Sequence, residues 1–258
     1  MEVECRTCHC GPAGAEKPNV ILYAILSQKG HTSSSYQPQA QHVCQCEGRK
    51  TVRLRDPMRT CQAASGVLVK TVSFVRNLPS FGLLPREDQL MLLEVCWAPL
   101  FLLGLAQEKV GFEVIETRAP SMLKRILLDG RGPSPEPERS QPTMAGVQRL
   151  QSCLSKIWSL DLSPKEYAYL KGAVLFNPDV PCLQTSVYIE SLQLEAHRAL
   201  QEVLLPQHPS DQSRFARILL SASTLRAIPP ALISDLFFRP IIGDADIVEL
   251  VMEMLYMQ

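Results

Sequence analysis

Apolar residues recur with helical spacing through most of the chain. Between Thr60 and Phe81 they fall at Val67, Leu68, Val72, Phe74, Val75 and Leu78, which predicts a long helix ending at Pro79. Pro85-Arg86-Glu87-Asp88 opens the next one, with proline in the first turn and two acids near the positive end of the helix dipole. Its body, through Leu90, Leu92, Leu93, Val95, Cys96 and Trp97, is apolar almost all round, as in a helix sunk into a core. Helical patterns resume from Met144 to Leu160, and Ser163-Pro164-Lys165-Glu166 is a capping box that starts another helix, stopped after Phe176 by Asn177-Pro178. Further ones run from Gln184 to Leu204, Ser213 to Ile228, Ala231 to Phe238 and Ile247 to Met257. Val110 to Glu116 is the best candidate for a short hairpin. The expected architecture is all-α and multi-layered.

Two stretches break the pattern. Residues 1–58 are rich in Gly, Ser, Pro, Gln and Cys around one apolar island, Asn19 to Leu26, and read as a mostly flexible segment with one short helix. Residues 129–142 carry Gly130, Gly132, Pro133, Pro135, Pro137 and Pro142 among charges and read as an exposed internal linker. The globular domain is therefore expected over residues 59–258.

Composition narrows the function classes. Lys+Arg and Asp+Glu number 26 each, so no net positive field attracts a nucleic-acid backbone. The chain starts without a basic region followed by an apolar run, and its longest stretch free of charged or hydrogen-bonding side chains, Val95 to Ala106, is far short of the roughly 20 residues that span a bilayer. Neither a signal peptide nor a membrane segment is expected. Nine cysteines without secretory signs read as reduced thiols. Cys5, Cys8, Cys10, Cys44 and Cys46 crowd the N-terminal segment, with His9 and His42 among them; Cys5 and Cys8 have zinc-ligand spacing, but Cys44 and Cys46 are too close for a regular four-cysteine site, and no metal is expected. Cys5-Arg6-Thr7-Cys8-His9 matches the haem-attachment pattern by coincidence, and no cofactor is expected. None of the five histidines sits in a nucleophile or metal frame and no Gly-rich phosphate loop is present, so no catalytic residue is assigned and an enzyme is not expected.

Longer matches point to a family. Thr60-Cys61-Gln62-Ala63-Ala64, Phe74-Val75-Arg76-Asn77-Leu78-Pro79-Ser80-Phe81 and Glu87-Asp88-Gln89-Leu90-Met91-Leu92-Leu93 resemble the helix 3 to helix 5 signature of nuclear-receptor ligand-binding domains. The likeness continues in the family's order at Val174 to Asp179, Arg214-Phe215-Ala216, Leu225 to Ile228 and Asp235 to Asp244. It ends at Leu250-Val251-Met252-Glu253-Met254-Leu255, which fits the family's ΦΦxEΦΦ activation helix. The resemblance implies a three-layer antiparallel helical sandwich of about ten to twelve helices with at most a short β-hairpin. Family members usually carry a DNA-binding domain of two four-cysteine zinc modules, whereas only six cysteines lie at or before Cys61 here, so direct DNA binding is not expected.

The resemblance also implies a mode of action. Nuclear receptors bind LxxLL helices in a groove, with one basic and one acidic residue clamping the helix ends. Arg76 falls where the family has its helix 3 lysine and Glu253 where it has its acidic clamp, while Leu250, Val251, Met254 and Leu255 form the activation helix. The chain also carries motifs that could enter another receptor's groove: Leu22, Ile25 and Leu26 share one helical face, as do Leu123, Ile126 and Leu127. Each has a plainer reading, as the inward face of a helix 1 or as core, and the two clamp residues as solvated charges. The expected function is a nuclear and cytoplasmic corepressor that binds ligand-activated and orphan nuclear receptors, competes with coactivators and recruits corepressors. The alternative is a ligand-sensing domain whose last helix is switched by a small apolar molecule of unknown identity.

Three departures modify the pattern. Glu94 stands where relatives often have a second basic groove residue, and Glu108 falls, by spacing from Trp97, where retinoid receptors place a carboxylate-binding arginine. Pro229-Pro230 interrupts the helix through which relatives dimerise. Dimerisation stays possible, but contact through groove and motif is the expected route to partners.

Overall fold

A computed structural model describes residues 50–118 and 142–256, all belonging to one compact unit, Glu47–Gln258. The elements run β1 (Lys50–Leu54), α1 (Pro57–Arg76), α2 (Pro79–Gly82), α3 (Arg86–Gln107), β2 (Val114–Arg118), α4 (Met144–Ser159), α5 (Pro164–Leu175), α6 (Ser186–Gln207) and α7 (Arg214–Leu225). Next come α8 (Pro230–Ile233), a π-helical turn (Ser234–Phe238), α9 (Arg239–Ile242) and α10 (Ile247–Tyr256).

The helices form where local chemistry starts and stops them. Asp56 accepts from the Arg59 backbone N–H at 3.2 Å, with Pro57 in the first turn, so α1 begins three residues before the apolar periodicity. It ends at Arg76, because Pro79 starts α2. The capping box at α5 is complete: Ser163 Oγ accepts from Glu166 N at 3.3 Å, and the Ser163 backbone N–H donates to Glu166 Oε2 at 2.5 Å.

Helix α3 is the centre of the molecule. It packs against α1, α4, α5, α7 and α10, and its residues from Cys96 to Ala106 are all buried. By length and composition it could also cross a bilayer, but 72% of its apolar window lies inside the protein. Helices α1 and α5 pack directly on it, with α6 packed on α5 and α7 on α4. Trp158 on α4 ties the end of α3 down by donating its indole N–H to the Ala106 carbonyl at 3.0 Å.

Two expectations are corrected. Among the described residues the strand near residues 110–116 makes no local hairpin; β2 pairs antiparallel with β1, 60 to 68 residues earlier, with Lys50 opposite Arg118 and Leu54 opposite Val114. The domain accordingly starts before residue 59: Val52 and Leu54 are buried, so the last part of the segment read as flexible is ordered sheet.

Gly104 shows how closely α1 and α3 approach. A Cβ at this position would lie 2.7 Å from Val67 Cγ1 and 3.1 Å from Thr71 Oγ1. Val67 is β-branched and in a helix has one strongly preferred rotamer, so it cannot swing aside. Gly104→Ala is expected to destabilise the fold by about 1–3 kcal/mol in urea unfolding, despite the better helix propensity of alanine. In a Val67→Ala background the same change should become neutral or stabilising; an equal cost in both backgrounds would refute the close-approach argument.

Candidate functional site

The activation helix is seated on the body. In α10, Ile247, Val251 and Leu255 repeat every four residues and are buried, while Leu250 and Met254 are half-buried against the core and Glu253 faces solvent. The helix packs on both α1 and α3. Its far end is latched to the start of α3: the Arg86 guanidinium lies 4.5 Å from the Tyr256 ring centroid, and Tyr256 Oη donates to Gln89 Oε1 at 3.3 Å. Its near end is braced by Arg239, which bonds Asp235 at 2.9 Å and Asp244 at 3.2 Å across the preceding turn.

Arg76 is exposed in the last turn of α1, where a cation complements the negative end of the helix dipole. The two expected clamp residues therefore sit on helices that pack against each other, each outside the core. Leu83, between α2 and α3, is 76% exposed, and Val95 on α3 is 48% exposed, one turn beyond half-buried Met91. Glu94, beside Val95, is exposed as well.

Sequence reasoning missed the Arg86–Tyr256–Gln89 latch, because Tyr256 lies just past the activation-helix pattern and no spacing rule pairs it with residues so much earlier in the chain. The motifs Leu22-Tyr23-Ala24-Ile25-Leu26 and Leu123-Lys124-Arg125-Ile126-Leu127 lie outside the described residues, as do the N-terminal cysteines and most of the segment 129–142. Among the described residues, no group of three metal-ligating side chains comes together.

The interior between α3 and the π-helical turn is packed with aromatic rings. Phe101 meets Phe237 at 5.9 Å and Phe238 at 5.1 Å between centroids, Trp97 meets Phe238 at 6.4 Å, and Phe112 stands edge-on to Phe237 at 5.0 Å. A cavity among the described residues lies elsewhere, open at the surface, with a volume of about 230 Å³. Glu108, at the end of α3, is exposed and paired with Lys70 at 2.8 Å, away from these rings. The helix expected from Ser213 to Ile228 stops at Leu225, and Pro230 starts α8.

Residues 49–241 match the model of the ligand-binding domain of nuclear hormone receptors, and the chain belongs to that family. It is thus a nuclear receptor domain, of a family of transcription regulators and not of enzymes, whose place of work is the nucleus. It is 54% identical to nuclear receptor subfamily 0 group B member 2 of Rattus norvegicus and 53% identical to the Homo sapiens protein of that name, covering 96% of this chain and 97% of each relative. It is 39% identical to nuclear receptor subfamily 0 group B member 1 of Sus scrofa over 97% of this chain and 57% of that longer protein.

Proposed function

We propose that the chain is a transcriptional corepressor that acts on other nuclear receptors, ligand-activated and orphan ones alike. In this reading the faces formed by Leu22, Ile25 and Leu26 and by Leu123, Ile126 and Leu127 enter a partner receptor's groove as short helices and displace coactivators. The chain's own groove, bounded by Arg76 and Glu253, and its outer surface bring corepressors. Direct contact with nucleic acid plays no part, in keeping with the balanced charge. The protein works in the nucleus and meets partners in the cytoplasm too.

The observation that carries this reading over a ligand sensor is the packed interior. Trp97, Phe101, Phe237 and Phe238 pack together beside the central helix, and α10 is seated over α1 and α3. A switch worked by an apolar molecule lodged there would require those rings to part and give up their close contacts with one another.

The test is the affinity of the full chain for an agonist-bound receptor ligand-binding domain, measured for wild type, Leu22→Ala/Leu26→Ala and Leu123→Ala/Leu127→Ala. Burying two leucines contributes about 3–6 kcal/mol, so the operative pair should weaken binding at least about a hundredfold with the fold intact. If both pairs bind like wild type, the motif model is wrong.

A further inference from the structure

Lys171 is an unusual residue in this fold. It lies on α5 within the buried run from Leu170 to Phe176 and is only 9% exposed. Its ammonium donates to Gln107 Oε1 at 2.7 Å and lies 5.5 Å from the Phe74 ring centroid. No carboxylate among the described residues lies within ion-pair distance of it; the nearby Glu108 pairs with Lys70 at 2.8 Å. Buried lysines are normally paired, and an ammonium carries three donors, of which the amide oxygen of Gln107 takes one. Burial, opposed by Glu108 and reinforced by Lys70, holds the amine below the usual lysine range.

Among the described residues the amine is not sealed in. It lines the open cavity of about 230 Å³ between α1, α3 and α5, whose other walls include Val67, Phe74 and Ala168 as apolar surface and Thr71 and Gln107 as polar groups. Among the described residues this wall carries two cations, Lys70 and Lys171, and one carboxylate, Glu108, so its formal charge is positive by one. That balance suits a single negative charge, and Glu108 would repel a second one. The volume falls below the roughly 300–1,000 Å³ that hold drug-sized ligands, so a body of about eight to ten non-hydrogen atoms is the right scale.

We propose that this cavity is a binding site for a small aliphatic or aryl monocarboxylic acid, whose carboxylate is received by Lys171 and whose apolar body lies against Val67, Phe74 and Ala168. The carboxylate supplies the charged acceptor that a buried ammonium otherwise lacks, and the charge-assisted bond forms where water competes little. None of the lining residues comes from α10, so this site is separate from the groove bounded by Arg76 and Glu253.

Octanoate and octan-1-ol, which share a tail and differ in charge, test this by titration into the full-length chain, followed by NMR shifts and calorimetry. Octanoate should bind with a dissociation constant of about 1 mM or tighter, and the alcohol at least about tenfold more weakly. Lys171→Met should erase that preference by weakening octanoate about tenfold while leaving octan-1-ol binding unchanged or improved. Ala168→Phe, which fills the cavity from its exposed rim, should abolish binding of both and decides the matter if Lys171→Met does not fold. The proposal is overturned by absence of octanoate binding, by equal binding of acid and alcohol, by undiminished octanoate binding to Lys171→Met, or by unchanged binding to Ala168→Phe.

Discussion

Replacing Arg214 with methionine is expected to cost about 3–5 kcal/mol of stability, among the largest single effects in this fold. Arg214 and Glu166 are both buried, and the guanidinium reaches the carboxylate through Nε at 3.2 Å and through one terminal nitrogen at 3.1 Å, the latter also reaching the Asp161 carbonyl at 3.4 Å. The methionine variant would leave the Glu166 carboxylate in the interior without its cation, which costs far more than the pair itself contributes. For a domain of this size the melting temperature should fall by about 10 °C. Adding Glu166→Gln, which removes the stranded charge but keeps an acceptor for the Ser163 backbone N–H, should recover at least half of the loss. A loss under about 1 kcal/mol in urea unfolding would show that the pair is not desolvated as described.

Asp88 is expected to give the second large effect, with a pH signature. It is fully buried and accepts three hydrogen bonds, from Gln184 N at 2.8 Å, Thr185 N at 2.9 Å and Thr185 Oγ at 2.6 Å. Asp88→Ala strands these donors and frees the start of α6, at a cost of about 3 kcal/mol. Burial pushes the carboxyl's pKa up, but the hydrogen bonds from Thr185 and Gln184 outweigh it and leave the group below its ordinary value. A depressed folded-state pKa means that the stabilisation is fully present above the unfolded value, near pH 4, and is lost as pH falls through the folded one. Unfolding free energy followed from pH 6 to pH 2 should therefore converge between wild type and Asp88→Asn at the acid end. A gap that stays constant over that range would show that the charge of Asp88 is not what holds α6.

Asp88 also marks where sequence reading stops. In the sequence it is an acid in the first turn of a helix, and that placement is right; nothing local tells that Thr185, almost a hundred residues later, folds its backbone around it. The helices were legible because each is set by spacing and caps within a few residues, as at Ser163 and Glu166. The sheet was not, because β1 and β2 find each other across the chain, and Thr51 to Leu54 is too short an alternation to stand out from polar surroundings. The clamp positions Arg76 and Glu253 were legible through family resemblance alone, since an exposed charge on a helix carries no signal of its own. Lys171 was invisible for the opposite reason: only the packing of α1, α3 and α5 around it makes an ordinary helical lysine a buried one.

The two-stranded ribbon has a consequence for avidity. Because Lys50 is opposite Arg118, the ribbon ends that join in sequence to residues 1–49 and to residues 119–141 lie side by side. The sequence before Lys50 carries Leu22 to Leu26, and that after Arg118 carries Leu123 to Leu127, so both proposed baits are joined in sequence to neighbouring ends of one ribbon. A receptor pair that captures one bait then meets the other at an effective concentration set by tether length, on the order of millimolar for short flexible links, instead of at its concentration in solution. Two individually weak grips launched from one anchor would hold a dimeric partner far longer than either could alone, and deleting one would shorten the complex's lifetime more than it slows its formation.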